Sequence, residues 1–131
     1  METIELQTQS KQEFFDLTSR VKEMMRASGV QKGLCIVYVP HTTAAVTINE
    51  NADPSVKKDI IETLNKVIPE VLPYSHLEGN SPAHIKASLV GPSISLIIEN
   101  GDLVLGTWQG IFFCEFDGPR RRKVCVQFYS S

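Results

Sequence analysis

The clearest alternation of apolar and polar residues lies within YVPHTTAAVTINENADP, which runs from Tyr38 to Pro54. In an extended chain, successive side chains point to opposite faces. One face of this segment is apolar and consists of Ala44, Val46 and Ile48. The other face carries hydrogen-bonding groups and consists of His41, Thr43, Thr47 and Asn49. This polar face is unusually rich for a strand of about ten residues, and we expect it either to meet water or to line a site.

Several other segments have the pattern of β-strands. Residues 3–8 alternate weakly, and the continuous run LCIVYVP predicts a buried strand that Pro40 closes. The pair Asn100 and Gly101 favours a type I′ turn and predicts a hairpin within SLIIENGDLVLG. The segments TWQGIFFCEF and RRKVCVQFY predict two further strands.

The segment SKQEFFDLTSRVKEMMRASG has the apolar spacing of an amphipathic helix. Ser10 followed by Glu13 matches a capping box, in which two backbone N–H groups are satisfied reciprocally. Gly29 is a typical residue just beyond a helix C-terminus. We therefore predict one helix across this segment.

A second helix is predicted to begin at Asp53 and Pro54, because Asp caps a helix and proline fits its first turn. Residues 69–83 then contain Pro, Gly, Ser and Asn together with His76, and His84 follows directly, which is typical of a loop. Loops of this length are often functional. AHIKASLVG predicts a short helix that ends at Gly91.

Two main helices and about seven strands predict one compact α+β domain over residues 1–131, with a large, mostly antiparallel or mixed sheet or sandwich. The chain is 42% hydrophobic and 21% charged, which is typical of a globular protein. Its net charge of −2 gives no general attraction to nucleic acids or acidic membranes. Any bound anion must therefore be held by a local group of cations.

The three cysteines predict a cytoplasmic protein. Cys35, Cys114 and Cys125 lie far apart within apolar or alternating runs, which favours buried free thiols over a disulfide framework. No signal peptide is visible at the amino terminus. No apolar run approaches the ~20 residues that span a bilayer.

His41 precedes a predicted strand, and His76 and His84 flank the Gly79–Asn80 loop. Imidazole is the commonest metal ligand, and catalytic zinc usually takes three protein ligands. These three histidines, with Glu50 or Glu78, can supply such a site. Their spacing is not diagnostic, and it also fits unrelated surface histidines.

FDGPRRRKV contains four consecutive cations, from Arg120 to Lys123. With a period of two, Arg121 and Lys123 share one face, while Arg120 and Arg122 share the other. Arginine binds phosphate oxygens in a bidentate manner. We expect one pair to meet an anion and the other to stay solvated, unless the whole run is simply a solvated strand entry.

Three segments resemble one family when they are taken together in this order: PHTTAAVTINENADPSV, EGNSPAHIKASLVG and LGTWQGIFFCEFDGPRRRKV. They are similar to the YjbQ family, also labelled a secondary thiamine-phosphate synthase, over about residues 32–126. The resemblance implies a compact α+β homotrimer with its polar motifs near a subunit boundary. It also implies that a thiazole phosphate displaces pyrophosphate from a hydroxymethylpyrimidine pyrophosphate.

This resemblance suggests roles for particular residues. The candidate catalytic residues are His41, His84, Glu50 and Asn49. The candidate substrate-binding residues are Thr42, Thr43, Trp108, Gln109, Arg120, Arg121 and Arg122. A lone tryptophan more often packs in a core or an interface, but Trp108 can also stack on a heteroaromatic ring. We expect no organic cofactor; Mg²⁺ is expected for the synthase.

Two alternatives remain open at this point. The first is a metal-dependent hydrolase of a small phosphorylated or amide substrate, with Zn²⁺ held by His41, His76 and His84. The second is a non-enzymatic, ligand-binding trimer in which Trp108 packs subunits together. We expect no nucleic-acid partner, because the basic run is short and no recognition-helix pattern accompanies it. We also expect no membrane partner.

Overall fold

Two antiparallel sheets make up most of the computed structural model, which describes residues 1–76 and 78–131. In chain order the elements are β1 (Glu2–Gln7), β2 (Glu13–Asp16), α1 (Thr18–Ser28), β3 (Gly33–Tyr38), β4 (Ala44–Glu50), α2 (Pro54–Val67), α3 (Ser81–Val90), β5 (Ser93–Glu99), β6 (Asp102–Leu103), β7 (Gln109–Glu115) and β8 (Arg121–Ser130). The five-stranded sheet has the order β1-β8-β3-β5-β6, and the three-stranded sheet has the order β2-β7-β4. The predicted α+β class is confirmed.

The main core lies between the inner faces of the two sheets and is closed by α1, which contributes Val21 and Met25. Cys35 belongs to this core, and its burial raises the pKa of the thiol to about 12. Cys114 is buried in a second cluster, where desolvation also raises its pKa. Cys125 is half-buried. Burial therefore holds the first two thiols in their neutral form.

The first predicted helix begins too early, and the capping box is wrong. Residues 13–16 form β2 and pair with β7, where Phe14 lies opposite Cys114. Phe14 packs in the second cluster and Phe15 against the main core, so the two rings bury opposite faces of a strand. Glu13 accepts a hydrogen bond from the Gln9 N–H at 2.6 Å. Pairing with β7 therefore overrides the helical spacing.

The beginning of β4 has two covered faces, unlike the prediction of one polar face along the strand. Ala44 and Val46 face the main core, as the alternation predicts. Ala45, on the other face, packs with Ala83 and Ala87 of α3 in the second cluster. Small side chains at these positions allow the helix to approach the strand closely. Only the two ends of the expected polar face remain open.

Three local predictions are confirmed by the backbone. Asp53 caps α2, because its carboxylate accepts the Ser55 N–H at 2.9 Å. Asn100 and Gly101 both have positive φ, 53° and 71°, at the β5–β6 hairpin. The short helix is present as α3, so the predicted loop ends at residue 80; residue 77 of that loop lies outside the described residues.

Buried Lys86 anchors α3 to the rest of the molecule and was not predicted. Its ammonium donates to Asn65 Oδ1 of α2 at 2.5 Å and lies 3.4 Å from Gln12 Oε1. Burial lowers the pKa of Lys86, while Glu70 at 3.8 Å acts in the opposite direction. In the part of the chain that the structure describes, no helix is long and apolar enough to cross a membrane.

Candidate functional site

The cationic run on β8 is divided between two faces, as the period of two predicts. Arg122 is only 6% exposed, whereas Arg121 and Lys123 are exposed. A buried guanidinium needs a counter-charge and hydrogen-bond acceptors, because its desolvation is otherwise unfavourable. Arg122 is therefore the residue around which the site is organised.

Glu115 of β7 supplies this counter-charge. Its carboxylate is fully buried and accepts two parallel hydrogen bonds from Arg122: Nε donates to Oε1 at 2.9 Å, and Nη2 donates to Oε2. The Thr8 hydroxyl also donates to Oε1 at 2.7 Å, and the Asp117 N–H donates to Oε2 at 3.2 Å. Each carboxylate oxygen thus has two donors, which fixes the plane of the guanidinium.

One edge of the Arg122 guanidinium is left for a ligand. Nε and Nη2 are used by Glu115 and by the Thr43 hydroxyl, which accepts from Nη2 at 2.8 Å. Nη1 donates to none of residues 1–76 and 78–131. Because the other nitrogens are fixed, the Nη1 edge is held in a constant orientation. It can donate two hydrogen bonds to an oxyanion.

His41 lines the same cavity as Arg122, and the way β3 ends explains its position. The pairing of β3 with β8 ends at Tyr38, whereas the Val39 N–H on the other edge of the strand continues the pairing with the β5 side through the Pro92 carbonyl. The next β8 donor, the Lys123 N–H, is accepted by His41 Nε2 at 3.0 Å. The imidazole thus completes the hydrogen bonding of the strand end.

This hydrogen bond defines the protonation of His41. A ring nitrogen that accepts from an N–H carries no proton, so the neutral ring carries its proton on Nδ1. Burial lowers the pKa of His41, and the positive charge of Arg122 lowers it further. His41 is consequently a neutral side chain that offers one N–H donor.

A cavity of about 350 Å³ brings six of the predicted site residues together. They are His41, Thr42, Thr43, His84, Arg120 and Arg122. Thr42 and Thr43 come from the segment before β4, His84 from the first turn of α3, and the arginines from the start of β8. Cavities of this size accommodate small ligands.

Asn80 also lines the cavity and is held by Asp117; both residues were missed by the sequence analysis. Asn80 Nδ2 donates to Asp117 Oδ2 at 3.0 Å, and Arg120 Nη2 donates to the same oxygen at 2.7 Å. Asn80 Oδ1 is buried and accepts no hydrogen bond from any described residue. The cavity therefore combines the arginine donors with an acceptor that a ligand N–H or O–H can satisfy.

His76 lies at the edge of this group. Its ring centroid is 5.4 Å from that of His84, with the rings nearly perpendicular, and its Nε2 is 3.8 Å from Glu78 Oε2. His41 does not fit the proposed metal set in this geometry, because its Nε2 lone pair is used by Lys123. Within the described ranges, no three His, Cys, Asp or Glu side chains are close enough to hold a metal ion. The metal site stays a prediction.

Four predicted site residues lie at the opposite end of the three-stranded sheet: Asn49, Glu50, Trp108 and Gln109. In the register, Glu50 lies opposite Gln109, whereas Ala44 at the other end lies opposite Glu115. The seven residues of β4 separate these ends by roughly 20 Å. Trp108 is 63% exposed. These residues do not reach the cavity within one chain.

Arg121 also lies outside the cavity. It is on the outer face of the five-stranded sheet, where it lines a neighbouring groove with Lys123. The buried arginine, Arg122, was grouped with its neighbours in the sequence analysis. The signal that distinguishes it is Glu115, a carboxylate within the apolar run IFFCEF, because such a residue requires a buried cation.

Comparison with known proteins identifies the family. A family model described as "UPF0047 protein YjbQ-like" matches residues 2–131. The chain belongs to the YjbQ family. Among its relatives, a UPF0047 protein of Methanocaldococcus jannaschii is 54% identical over 123 residues, which cover 94% of this chain and 89% of that protein. The YugU protein of Bacillus subtilis is 50% identical over 128 residues, which cover 97% of each chain.

Two solved structures of similar proteins have the same fold. An uncharacterized YjbQ/UPF0047 family protein of Clostridium acetobutylicum superposes with a TM-score of 0.97 at 56% identity, covering 98% of this chain and all of that chain. A conserved hypothetical protein of Thermus thermophilus gives a TM-score of 0.91 at 39% identity, with 98% and 100% coverage. These names state no activity, so function has to be argued from the site.

Proposed function

We propose that this protein is a cytoplasmic transferase that acts on phosphorylated heteroaromatic substrates. In the specific reaction, the nitrogen of a thiazole phosphate attacks the methylene carbon of hydroxymethylpyrimidine pyrophosphate. A C–N bond forms, the C–O bond breaks, and its electron pair leaves with pyrophosphate. The family resemblance supplies this reaction, and the observation that supports it is the Nη1 edge of Arg122, held open by Glu115.

The leaving group is the part of the reaction that this site suits best. Negative charge accumulates on the departing oxygen, and fixed donors stabilise it without reorganising. Arg122 supplies a cation whose orientation is set by Glu115 and Thr43. His41 supplies a neutral N–H beside it. Mg²⁺ is proposed to accompany the pyrophosphate and to neutralise part of its charge.

The substrate ring is proposed to use the polar groups on the α3 side of the cavity. Asn80 Oδ1 is a buried acceptor without a described partner, and it suits an amino group on a heteroaromatic ring. His84, half-buried in the first turn of α3, can donate or accept a hydrogen bond there. These groups favour a ligand that combines an anion with a hydrogen-bond donor.

A homotrimer is part of the proposal. Three apolar side chains lie side by side across β8, β3 and β5 on the outer sheet face: Tyr129 at 53%, Leu34 at 45% and Ile97 at 56% exposure. Such a row of exposed apolar residues favours association. In an assembly, Trp108 of one copy has access to other copies, which a single chain does not allow.

The test is formation of thiamine phosphate from both synthetic precursors by purified protein, with Mg²⁺ and with excess chelator. We expect product with wild type, and a loss of at least about tenfold with His84→Ala, a loss that corresponds to one good hydrogen bond. Ser88→Ala, one turn along the exposed side of α3, is the control. Circular dichroism verifies the fold of both variants. Wild-type turnover no faster than the uncatalysed reaction would overturn the proposal.

The close approach of His76 and His84 favours one second candidate, a Zn²⁺-dependent hydrolase. Zinc accepts imidazole ligands, and His76 and His84 supply two of the three protein ligands that a catalytic zinc site usually has. Isothermal titration of the protein with zinc, compared with His76→Ala, tests it. Stoichiometric binding that the variant loses supports this candidate, and equal heats from both proteins exclude it. Ligand binding without turnover would instead support the alternative of a non-enzymatic, ligand-binding trimer.

A further inference from the structure

We propose that the groove between β1 and β8 is a second phosphate subsite, adjoining the first across His41 and Arg122. We name it the β1–β8 groove and define it by Gln7, Arg121 and Lys123. This inference rests on the proposed function and deepens it, because it gives each of two phosphorylated reactants its own anion site. Its ligand is a phosphate group of a small organic molecule.

The groove and the cavity are neighbours with common lining residues. The groove has a volume of about 520 Å³ and the cavity about 350 Å³, and both are lined by His41 and Arg122. His41 accepts a hydrogen bond from the Lys123 N–H, and Lys123 belongs to β8, one of the two strands that form the groove. Ligands on the two sides of the imidazole would therefore lie next to each other, as the reactants of a condensation must.

The charges of the β8 run differ between the two sides. Arg120 and Arg122 each have a carboxylate partner, Asp117 and Glu115 respectively. Arg121 and Lys123, on the groove side, have no carboxylate oxygen within 4 Å among the residues that the structure describes. The two cations facing the groove therefore keep their full charge for a ligand.

Glu5 is the carboxylate that faces this groove. It lies opposite Lys123 in the β1–β8 register but forms no ion pair with it among the described residues. Arg121 and Lys123 bring two positive charges to the groove and Glu5 one negative charge, which gives a net charge of +1. The Arg122–Glu115 pair adds no net charge. An anionic group is thus favoured, and a neutral ligand gains nothing from these cations.

Gln7 gives the groove a neutral donor as well. It lies opposite Arg121 in the register, and its side-chain amide donates to the Thr8 carbonyl at 3.0 Å. An arginine, a lysine and an amide around one groove provide the mixture of charged and neutral donors that phosphate oxygens accept. The volume exceeds that of one phosphate group, which leaves room for an attached organic group.

The experiment is an NMR titration of ¹⁵N-labelled protein with inorganic phosphate, at constant ionic strength maintained with chloride. We expect two separate sets of shifting amides, one at Gln7, Arg121 and Lys123 and the other at Thr42 and His84. Arg121→Gln/Lys123→Gln should weaken the first set by at least about tenfold and leave the second within about twofold. His84→Gln should weaken the second set alone.

Lys58→Gln/Lys66→Gln is the matched control, because it removes two exposed positive charges from α2. It should leave both sets within about twofold of wild type. Groove shifts that persist in Arg121→Gln/Lys123→Gln, or that are equally reduced in the control, would overturn the second subsite. The proposed function would still be supported in that case if the cavity amides shift. Shifts in the groove alone would support the subsite and count against the proposed cavity. No shifts in either place would overturn both.

Discussion

The two ends of the three-stranded sheet carry polar residues of the same kinds, but the side chains at each end form hydrogen bonds of different sequence range. At the Glu115 end, the side chains contact residues far away in sequence; Thr8 and Glu115 are 107 positions apart. At the Glu50 end, they contact their neighbours: Glu50 accepts from the Ala52 N–H at 3.0 Å, and Gln109 accepts from the Gly106 N–H at 2.7 Å.

This difference separates the candidate binding site from a surface that presents side chains. Arg122 and Glu115 are buried, and hydrogen bonds to residues distant in sequence fix the direction of the unused Nη1 edge. Local hydrogen bonds shape the turn before β7 and leave Trp108 in solvent. Residues with similar chemistry are therefore held differently because the range of their contacts differs. Substitutions at the two ends should show this directly.

The largest expected effect is the loss of stability on Glu115→Gln. It leaves Arg122 buried without its counter-charge, and the free energy of unfolding should fall by about 3–5 kcal/mol. Glu50→Gln, at the other end, should change it by less than about 0.5 kcal/mol. Urea unfolding followed by circular dichroism, at one protein concentration, measures both. Equal losses would mean that the two ends do not differ as the contacts indicate.

A double variant separates the structural role of this pair from its binding role. Glu115→Leu/Arg122→Met replaces both charges by apolar groups, and it should regain most of the stability that Glu115→Gln loses. Phosphate binding in the cavity should nevertheless be weakened by at least about tenfold, because the Arg122 donors are gone. Wild-type phosphate affinity in a folded double variant would remove Arg122 from the site.

A smaller effect is expected in the pH dependence of stability. Burial and Arg122 lower the pKa of His41 from 6.5, so below pH 6.5 the unfolded chain takes up a proton that the folded protein does not. The free energy of unfolding should therefore decrease as the pH falls through this window. His41→Gln keeps an acceptor for the Lys123 N–H but does not titrate, so its profile should be flatter. Urea unfolding over a pH series measures the difference, and parallel profiles would contradict it.

The smallest effect is expected for Trp108→Ala. Since Trp108 is exposed and about 20 Å or more from the cavity in its own chain, phosphate affinity there should stay within about twofold of wild type. The NMR titration used for the subsites gives this value. A large loss of phosphate affinity would show that Trp108 acts at the cavity of another copy. Both ends of the three-stranded sheet would then contribute to ligand binding.

Period and turn chemistry were sufficient to predict much of the fold. Asp53 and Pro54 start α2, Asn100 and Gly101 form the β5–β6 hairpin, and the period of two places Arg122 on the opposite face from its neighbours. These features depend on residues that are adjacent in sequence. Local rules apply to them because the physical causes are themselves local.

Features that depend on distant partners were not predictable in the same way. Phe14 fits a helical repeat, and only pairing with β7 makes it part of β2. Asn49 and His41 share a face by parity, but α3 covers the strand between them through Ala45. The role of Glu115 depends on Arg122 and Thr8, which come from two other strands or their ends. One sequence contains these residues but not their contacts.

The Arg122–Glu115 pair also connects the two sheets, because β8 belongs to the five-stranded sheet and β7 to the three-stranded one. A ligand on the Nη1 edge is therefore attached to the joint between the two halves of the molecule. Binding there must be lost whenever the halves separate, so ligand occupancy raises the melting temperature by mass action. Thermal-shift screening of phosphorylated metabolites thus offers a way to search for the natural ligand without first knowing the reaction.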